Sequence, residues 1–344
     1  MSCYALYRLP GESHYMEIRQ SDDLPDILGS YEEVGTKSGF VVAPFVPSSD
    51  SPILMIRPDH VARHDMPMHP KDGDMPTGNV VSRESCREVY ANDFRLFHSH
   101  IVSGEFQKLV LARQSVDSVE CQEPPLQLFE RACRLYPKMF VALIVAPQCG
   151  MWLTATPETL LEGSGGEYHT IALAGTMGLW GNTPWSEKNR HEQQYVASYI
   201  AESIRHYADD FSQSGPYTVA AGDICHLRTD FTFRLSDRRR LGEFVAALHP
   251  TPAVCGLPKH EAMQFIVNHE TMPRRYYSGF MGPVDIIPDS LHLFVSLRCM
   301  SVSDGEYRQY AGGGLLADSE EGMEWNETES KMQTIRRCYT RKIK

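Results

Sequence analysis

Two carboxylates and an amine recur at helical spacing near the end of the chain. In the segment EGMEWNETESKM, Glu324, Glu327 and Lys331 follow i, i+3 and i+7 spacing, so they line one face of a helix. Two carboxylates one turn apart suit a hard divalent ion such as Mg²⁺, which prefers oxygen ligands. A surface pair of glutamate and lysine has the same spacing and is common. The pattern alone leaves both interpretations open.

A lysine stands among apolar residues in the segment FQKLVLAR. In a β-strand, Lys108 would share one face with Val110 and Ala112. Burial disfavours a charged ammonium, and a lysine must be neutral to act as a general base. A lysine that extends its amine from a strand edge to solvent explains the same pattern. On this segment alone, the solvent-exposed lysine is the favoured interpretation.

An acidic residue lies on the apolar stripe of another predicted helix. Glu192 precedes Val196 by one turn, on the face that also carries Ile200 and Ser203. An inward carboxylate needs compensation by a bound cation or by a nearby arginine or lysine. The spacing does not distinguish these two possibilities.

Three consecutive glycines follow a strand predicted around residues 307–310. Without side chains, Gly312, Gly313 and Gly314 would let backbone N–H groups approach an anion closely. A flexible turn is the simpler explanation, and the sequence contains neither GxxxxGK[ST] nor GxGxxG. The glycines are therefore a weak indication of an anion site.

A mixture of helices and strands must position these residues. Apolar periodicity predicts a helix that ends near Gly104, just before the strand FQKLVLAR. Further helices are predicted at residues 125–135, 187–207, 260–268 and 321–339, and buried strands at residues 140–146, 151–156 and 293–300. Residues 64–78 crowd Pro, Gly and Asp together and predict a loop. The mixture indicates an α/β or α+β fold.

Composition restricts the class of protein. The 344 residues are 42% hydrophobic, which is enough for a large core in a soluble globular protein. The formal net charge of −11 argues against nucleic-acid binding, because phosphate neutralisation needs clustered basic residues. Nine cysteines without a CxxC pair argue against a zinc ribbon and favour a cytoplasmic location. No apolar run is long enough to span a bilayer, so no membrane partner is expected.

Eight segments, taken in order, resemble those of the chorismate-utilising enzymes, which include isochorismate synthases, salicylate synthases, anthranilate synthase component I and aminodeoxychorismate synthases. The segments are FQKLVLAR, TPETLLEG, ALAGT, EKNRHEQQYV, LHPTPAVCG, ETMPRRYYSGFMG, LFVSLR and YAGGGLLADSEEGMEWNETESK. They lie within residues 84–338, whereas residues 1–83 form a divergent N-terminal part. The resemblance implies one domain over residues 1–344, with two stacked central β-sheets, outer helices and an active site in a cleft between the sheets.

The resemblance also implies a metal site. Its Mg²⁺ ligands would be Glu192, Glu324 and Glu327. Three residues depart from the family pattern. Asn189 stands where many relatives have an acidic residue, which would weaken the metal site or its water shell. Gln193 replaces a histidine, and Arg275 stands where relatives often carry a small residue.

Substrate recognition is implied at several further positions. Chorismate carries two carboxylates, so cationic groups and N–H donors are required. The family pattern assigns these roles to Arg298, Tyr277, Lys331 and the backbone of Gly312 and Gly314. Other pocket residues implied by the pattern are Ala174, Gly175, Thr176 and His249. The histidine is expected to position a hydroxyl or a carboxylate, and a cap on a helix or a turn is an equal alternative.

The attacking nucleophile distinguishes members of the family. Relatives that use water resemble this chain in carrying a lysine at position 108, whereas anthranilate synthases usually carry a glutamine, and only a base can activate water. Aminodeoxychorismate synthases commonly have a nucleophilic lysine where this chain has Ala174. The two positions favour isochorismate formation, in which Lys108 deprotonates water and Glu158 protonates the leaving hydroxyl.

One function and its alternatives follow from the resemblance. The chain is expected to be a Mg²⁺-dependent isomerase that converts chorismate to isochorismate, with menaquinone biosynthesis preferred over a siderophore pathway. A cytoplasmic monomer without an obligatory glutamine amidotransferase partner is expected. The alternatives are a salicylate synthase, which also eliminates pyruvate, and an inactive relative that only binds chorismate.

Overall fold

The computed structural model describes residues 3–66, 80–178, 184–221 and 224–340. Its strands are Tyr4–Arg8 (β1), His14–Arg19 (β2), Asp26–Leu28 (β3), Gly39–Ala43 (β4), Ile53–Ile56 (β5), His60–Asp65 (β6), Val80–Ser85 (β7), Lys108–Val119 (β8), Phe140–Ala146 (β9), Gly150–Thr156 (β10), Thr159–Ser164 (β11), Glu167–Gly178 (β12), Phe211–Ala221 (β13), Ile224–Arg234 (β14), Gly256–Leu257 (β15), Phe280–Val284 (β16), Ser290–Val295 (β17), Cys299–Ser303 (β18) and Glu306–Leu315 (β19). Its α-helices are Arg87–Val102 (α1), Pro125–Leu135 (α2), Glu187–Arg205 (α3), Leu241–Leu248 (α4), Lys259–His269 (α5) and Glu321–Arg336 (α6). Of the predicted loop at residues 64–78, residues 67–78 lie outside the described residues.

The strands form two antiparallel sheets. The first sheet has the order β15-β8-β19-β18-β10-β9-β1-β2-β6, and β7 also pairs with β8. The second sheet has the order β13-β14-β12-β11-β17-β16-β4-β5-β3. The chain crosses between the sheets several times, and two of these crossovers join β10 to β11 and β17 to β18. These two crossovers lie side by side, because the Val295 amide donates to the Glu158 carbonyl at 2.9 Å and the Ala155 amide donates to the Arg298 carbonyl at 3.2 Å.

A shared core holds the two sheets face to face. Phe140 of the first sheet stacks on Phe294 of the second, with ring centroids 4.1 Å apart. Tyr7 of the first sheet also packs against Phe40 of the second, with tilted rings whose centroids are 5.5 Å apart. All four rings are buried in one continuous apolar cluster. The apolar faces of both sheets are therefore removed from water against each other, as in other face-to-face sheet packings.

Helices cover the outer faces. Phe129 of α2 and Ile335 of α6 are buried with Val141 of β9 and Leu153 of β10 in a second apolar cluster. Helix α3 packs on β12 and β14 of the second sheet. The strand β9 is therefore buried on both sides, which explains its unbroken apolar sequence FVALIVA. Two stacked sheets with outer helices confirm the predicted fold class.

Two predictions about local structure are wrong. The single strand predicted at residues 293–300 is two strands of different sheets, because the chain crosses over between β17 and β18. Arg298 lies in this crossover with a left-handed backbone, φ 47°, whereas its apolar surroundings in the sequence suggested a strand. The glycines at residues 312–314 are not a flexible turn, since they lie within β19 and pair with β8.

Candidate active site

A small cavity of about 40 Å³ lies between the two sheets at their crossovers. The sequence-predicted residues that line it are Glu158, Ala174, Gly175, Thr176, Glu192, Tyr277, Arg298, Gly312, Gly314 and Lys331. Strands β12 and β19 and helices α3 and α6 supply most of these residues, and the crossovers supply Glu158 and Arg298. Segments from distant parts of the chain therefore meet at one point in the fold.

Glu158 is a buried carboxyl group at the crossover between β10 and β11. Its pKa is raised to about 7, because burial disfavours the carboxylate and the charges of Arg298, Lys108 and Lys331 oppose this effect only in part. Its side chain is 4% exposed. The group therefore holds a proton up to neutral pH, as a general acid must.

Lys108 begins β8 and is completely buried. Its Nζ lies 3.0 Å from Glu192 Oε1 of α3, close enough for an ion pair, although no hydrogen bond of good geometry joins the two groups. The alternative of a lysine at the surface is thereby excluded. The sequence did not show which positive group compensates Glu192. In the structure this group is Lys108.

Arg298 presents a buried guanidinium that has no carboxylate partner among the described residues. Its Nη2 lies 3.1 Å from Nε2 of His226, and its Nε has no hydrogen-bond partner. Burial lowers the pKa of this guanidinium, and the charge of Glu158 opposes the effect. A buried cation without a counter-charge is costly, so the site is suited to an anionic ligand.

His226 of β14 is a pocket residue that the sequence did not reveal. Its Nδ1 lies 2.8 Å from the Gly175 carbonyl oxygen. Burial and the charge of Arg298 lower its pKa to about 3, so the ring is neutral. A neutral ring that donates from Nδ1 to Gly175 must accept from Arg298 at Nε2. In the sequence, a lone histidine in ICHLRTDF looks like any core residue of a strand.

The three glycines of β19 make room for side chains. A Cβ on Gly312 would lie 2.9 Å from the Tyr277 hydroxyl, and one on Gly313 would lie 2.9 Å from Oε2 of Glu324. A Cβ on Gly314 would overlap the Glu192 carboxylate. The missing side chains therefore let functional groups approach this strand from both of its faces.

Three glutamates stand near these glycines, and each is paired with a lysine. We call Glu192, Glu324 and Glu327 the carboxylate cluster. Glu192 faces Lys108, as described above. Glu324 of α6 pairs with Lys188 of α3, and Glu327 lies 2.6 Å from Lys331.

The pKa values of two cluster members move in opposite directions. Burial raises the pKa of Glu324, and the nearby Lys188 opposes this. Burial also opposes ionisation of Glu327, but the ammonium groups of Lys331 and Lys188 hold its pKa below the usual range. Two neighbouring carboxylates that share one cation are expected to differ in this way.

The carboxylate cluster has the ligand atoms that suit Mg²⁺, but its side chains are not arranged around a common metal position. Carboxylate oxygens are the ligands that Mg²⁺ prefers. Across the described ranges, no three His, Cys, Asp or Glu side chains are arranged to hold a metal ion. The lysine ammonium groups stand next to the carboxylates instead.

The structure places His249 outside the cavity. Its ring packs edge-on against Tyr31 and Phe280, with centroids 4.8 and 4.9 Å away. Its Nε2 lies 3.2 Å from the Phe45 carbonyl oxygen. Its contacts are those of a core residue that follows the end of α4, and they do not match the expected contact with substrate.

The three departures from the family pattern have structural contacts. Asn189 donates from Nδ2 to the Thr176 carbonyl at 3.3 Å. Gln193 is buried and donates to the Ala172 carbonyl at 3.0 Å. Arg275 donates to the Cys149 carbonyl at 3.3 Å, away from the cavity. The first two therefore join α3 to β12, the strand that carries the ALAGT segment.

Two larger openings lie near the cavity. A cleft of about 360 Å³ shares Thr176 with it and extends along α6 past Glu327 and Arg337. Another cleft, of about 1100 Å³ between α3 and β13, contains none of the predicted catalytic side chains.

None of the helices in the described residues has the length and apolarity needed to cross a membrane.

Comparison with known proteins gives consistent results. A family model described as chorismate binding enzyme matches residues 63–339. The salicylate biosynthesis isochorismate synthase of Pseudomonas aeruginosa is 32% identical over 265 residues, which are 69% of this chain and 52% of that protein. The isochorismate synthase EntC of Escherichia coli is 27% identical, over 75% of this chain and 69% of that protein. The match to the first of these relatives thus spans only about half of its length.

A solved structure shows the same fold. The crystal structure of a putative 2,3-dihydroxybenzoate-specific isochorismate synthase, DhbC from Bacillus anthracis, superimposes with a TM-score of 0.81 at 21% identity. The superposition covers 98% of this chain and 95% of the other. The stacked-sheet architecture is therefore common to both chains.

Proposed function

The chain belongs to the chorismate binding enzymes, and from that premise we propose that it converts chorismate to isochorismate. One observation carries the proposal. Glu158, a carboxyl group whose pKa is raised to about 7, lines the small cavity between the sheets, and the buried amine of Lys108 lies 3.0 Å from Glu192, which lines the same cavity. Isochorismate synthases are among the relatives that match the sequence.

The proposed chemistry exchanges one hydroxyl for another. Lys108, neutral when it acts, takes a proton from water as the oxygen attacks the ring carbon next to the carboxylate-bearing carbon. The ring double bonds shift, and the hydroxyl on the far side leaves as water after Glu158 protonates it. One water enters and one leaves, and the proton gained by Lys108 balances the proton lost by Glu158. Acid and base each contribute about 10² to 10⁴ in rate.

Substrate carboxylates have clear partners in this proposal. The Arg298 guanidinium, which lacks a carboxylate partner among the described residues, would bind one of them, and His226 would keep the guanidinium oriented. Tyr277 and the backbone of Gly312 and Gly314 line the same cavity. A cavity of about 40 Å³ is far below the roughly 300 Å³ of a typical ligand pocket. The site must therefore open when chorismate enters.

The carboxylate cluster would hold Mg²⁺. When bound, the ion would supply positive charge that neutralises the ring carboxylate of chorismate. Glu192 would then serve both the metal and Lys108, whose Nζ lies 3.0 Å from its Oε1.

A product assay tests the proposal. Purified protein is mixed with chorismate and Mg²⁺ without ammonia, and isochorismate, salicylate and pyruvate are separated and quantified. Isochorismate without pyruvate is expected, and EDTA should abolish it. Lys108→Ala and Glu158→Gln should each lower turnover by about 10² or more. Lys37→Ala and Glu167→Gln, at exposed ion pairs, are the matched controls and should keep full activity.

Other outcomes would redirect the assignment. Release of pyruvate would indicate a salicylate synthase, and an aminated product that appears only with ammonia would indicate a different nucleophile. Chorismate binding without any product would indicate an inactive relative. Full turnover in either active-site variant would reject the acid and base roles.

Menaquinone biosynthesis is the proposed destination of the product. The site itself would recognise chorismate, and its residues do not distinguish one downstream pathway from another. If the product enters menaquinone biosynthesis, a strain that lacks the protein should lose menaquinone. Loss of a siderophore with menaquinone unchanged would refute this part of the proposal.

A further inference from the structure

We propose that the Lys188 ammonium is a built-in counterion of the carboxylate cluster, and that a divalent cation enters by displacing this lysine. The inference rests on the metal site in the proposed function, and it adds a role for a residue that neither the spacing nor the resemblance indicated. It explains why three oxygen-bearing side chains come together without forming a metal site in the described residues.

The position of Lys188 supports this role. Lys188 lies four residues before Glu192 in α3, so the two side chains leave the same face of the helix. Its ammonium pairs with Glu324 of α6. Lys188 therefore places a positive charge in contact with one member of the carboxylate cluster and on the same helix face as another.

The other two lysines are less able to move. Lys108 has no exposed side-chain surface, and Lys331 is 11% exposed. Lys331 is also anchored, because it donates to the Gly312 carbonyl at 2.8 Å. Lys188 is 23% exposed and lies in the first turn of α3. Its flexible stem can carry the ammonium into solvent without leaving a buried charge behind.

Glu324 is a buried carboxylate that needs a positively charged partner. Its side chain is 2% exposed, and among the described residues the Ser319 hydroxyl also donates to it, at 2.8 Å. A buried carboxylate that loses its cation is strongly destabilising. Lys188 therefore keeps α6 and α3 together while the site lacks metal. The same charge must weaken metal binding, because like charges compete for the same oxygens.

Calorimetric titration of Mg²⁺ into the full chain, without chorismate, tests the inference. Lys188→Met keeps the apolar stem and removes the charge. It should bind Mg²⁺ at least about tenfold more tightly than the wild type, as expected for loss of one nearby like charge. Thermal unfolding in EDTA should occur at a lower temperature than for the wild type, and saturating Mg²⁺ should remove most of that difference. Lys37→Met, at the exposed pair with Asp26, is the control and should change neither quantity.

A second neutral variant distinguishes the loss of charge from a folding defect. Lys188→Gln retains a hydrogen-bond donor for Glu324 but carries no charge, so it should also bind Mg²⁺ more tightly. Unchanged or weaker binding in the folded neutral variants would overturn the inference. If neither wild type nor variant bound Mg²⁺, both the inference and the metal part of the proposed function would fail. Because no turnover is measured, a missing isochorismate activity would leave the calorimetric result intact and identify a failure of the proposed chemistry alone.

Discussion

At the scale of single residues, this site consists of titratable groups that are almost completely buried. Glu158, Arg298 and His226 are each at most 6% exposed. Burial raises the pKa of Glu158 to about 7 and lowers that of His226 to about 3. The carboxyl is therefore protonated and the imidazole neutral at the same pH, which is the reverse of their states in water at pH 5. In the proposed mechanism, these protonation states suit Glu158 to an acid role and His226 to an orienting role.

We expect the activity of the wild-type protein to fall as pH rises through about 7. Glu158 donates a proton only in its protonated form, and its pKa is raised to about 7. The rate constant kcat/KM for isochorismate formation, measured at saturating Mg²⁺ from pH 5 to 9, checks this. A flat profile across pH 7 would contradict the acid role of Glu158.

The same group should make stability depend on pH. Its folded-state pKa, about 7, lies above the ordinary 4.5, so its contribution is complete below pH 4.5 and is lost as pH rises to about 7. The loss by pH 8 is about 3 kcal/mol in the free energy of unfolding. Urea unfolding of wild type and Glu158→Gln should show this as a difference that changes with pH. Parallel pH curves for the two proteins would count against the raised pKa.

At the scale of elements, a buried ion pair after α5 fixes the strand that carries Lys108. Glu270 accepts from the Ala112 amide of β8 at 2.7 Å. Arg274 donates to Glu270 at 2.6 Å and to the Val110 carbonyl of β8 at 2.8 Å. Both side chains are 3% exposed. The pair thus supplies hydrogen bonds to the backbone of β8 next to the cavity.

Breaking this pair on one side should destabilise the fold. Arg274→Met leaves Glu270 buried without its cation, and we expect a loss of about 3 to 5 kcal/mol in the free energy of unfolding. Urea unfolding measures this loss. Combining it with Glu270→Gln should restore part of the stability, because no unpaired charge then remains. Arg239→Met, at a side chain that is 91% exposed, is the control. Equal stability of the single and double variants would contradict this explanation.

At the scale of the whole molecule, the two sheets depend on one core. The rings of Phe140 and Phe294 stack across the interface between them. The active-site crossovers lie in the same interface, so Glu158 and Arg298 keep their positions only while the sheets stay packed. This arrangement motivates the proposal that residues 1–344 act as one domain.

One domain should unfold in a single cooperative step. Phe140→Ala removes a fully buried ring from the shared core, which typically costs about 3 to 5 kcal/mol. Differential scanning calorimetry should show one endotherm in the wild type and one at lower temperature in the variant. Two resolved endotherms, of which the substitution shifts only one, would show that the sheets unfold independently.

Sequence by itself determined several local elements and most of the residues that meet at the candidate site. Apolar patterns located α2 and β9 at their observed bounds. The spacing of apolar residues shows directly whether one or two faces of an element are buried. The segments in family order brought Glu158, Glu192 and Arg298 into one predicted pocket, and the structure places all three around one cavity.

Only the tertiary structure decided how these residues are charged and what they contact. Arg298 crosses between sheets where its sequence resembles a strand, and His226 enters the pocket from a strand with no distinguishing pattern. Lys188 compensates a glutamate that lies 136 residues away in the chain. Spacing records only neighbours along one element, whereas burial and electrostatic pairing depend on which elements meet in space.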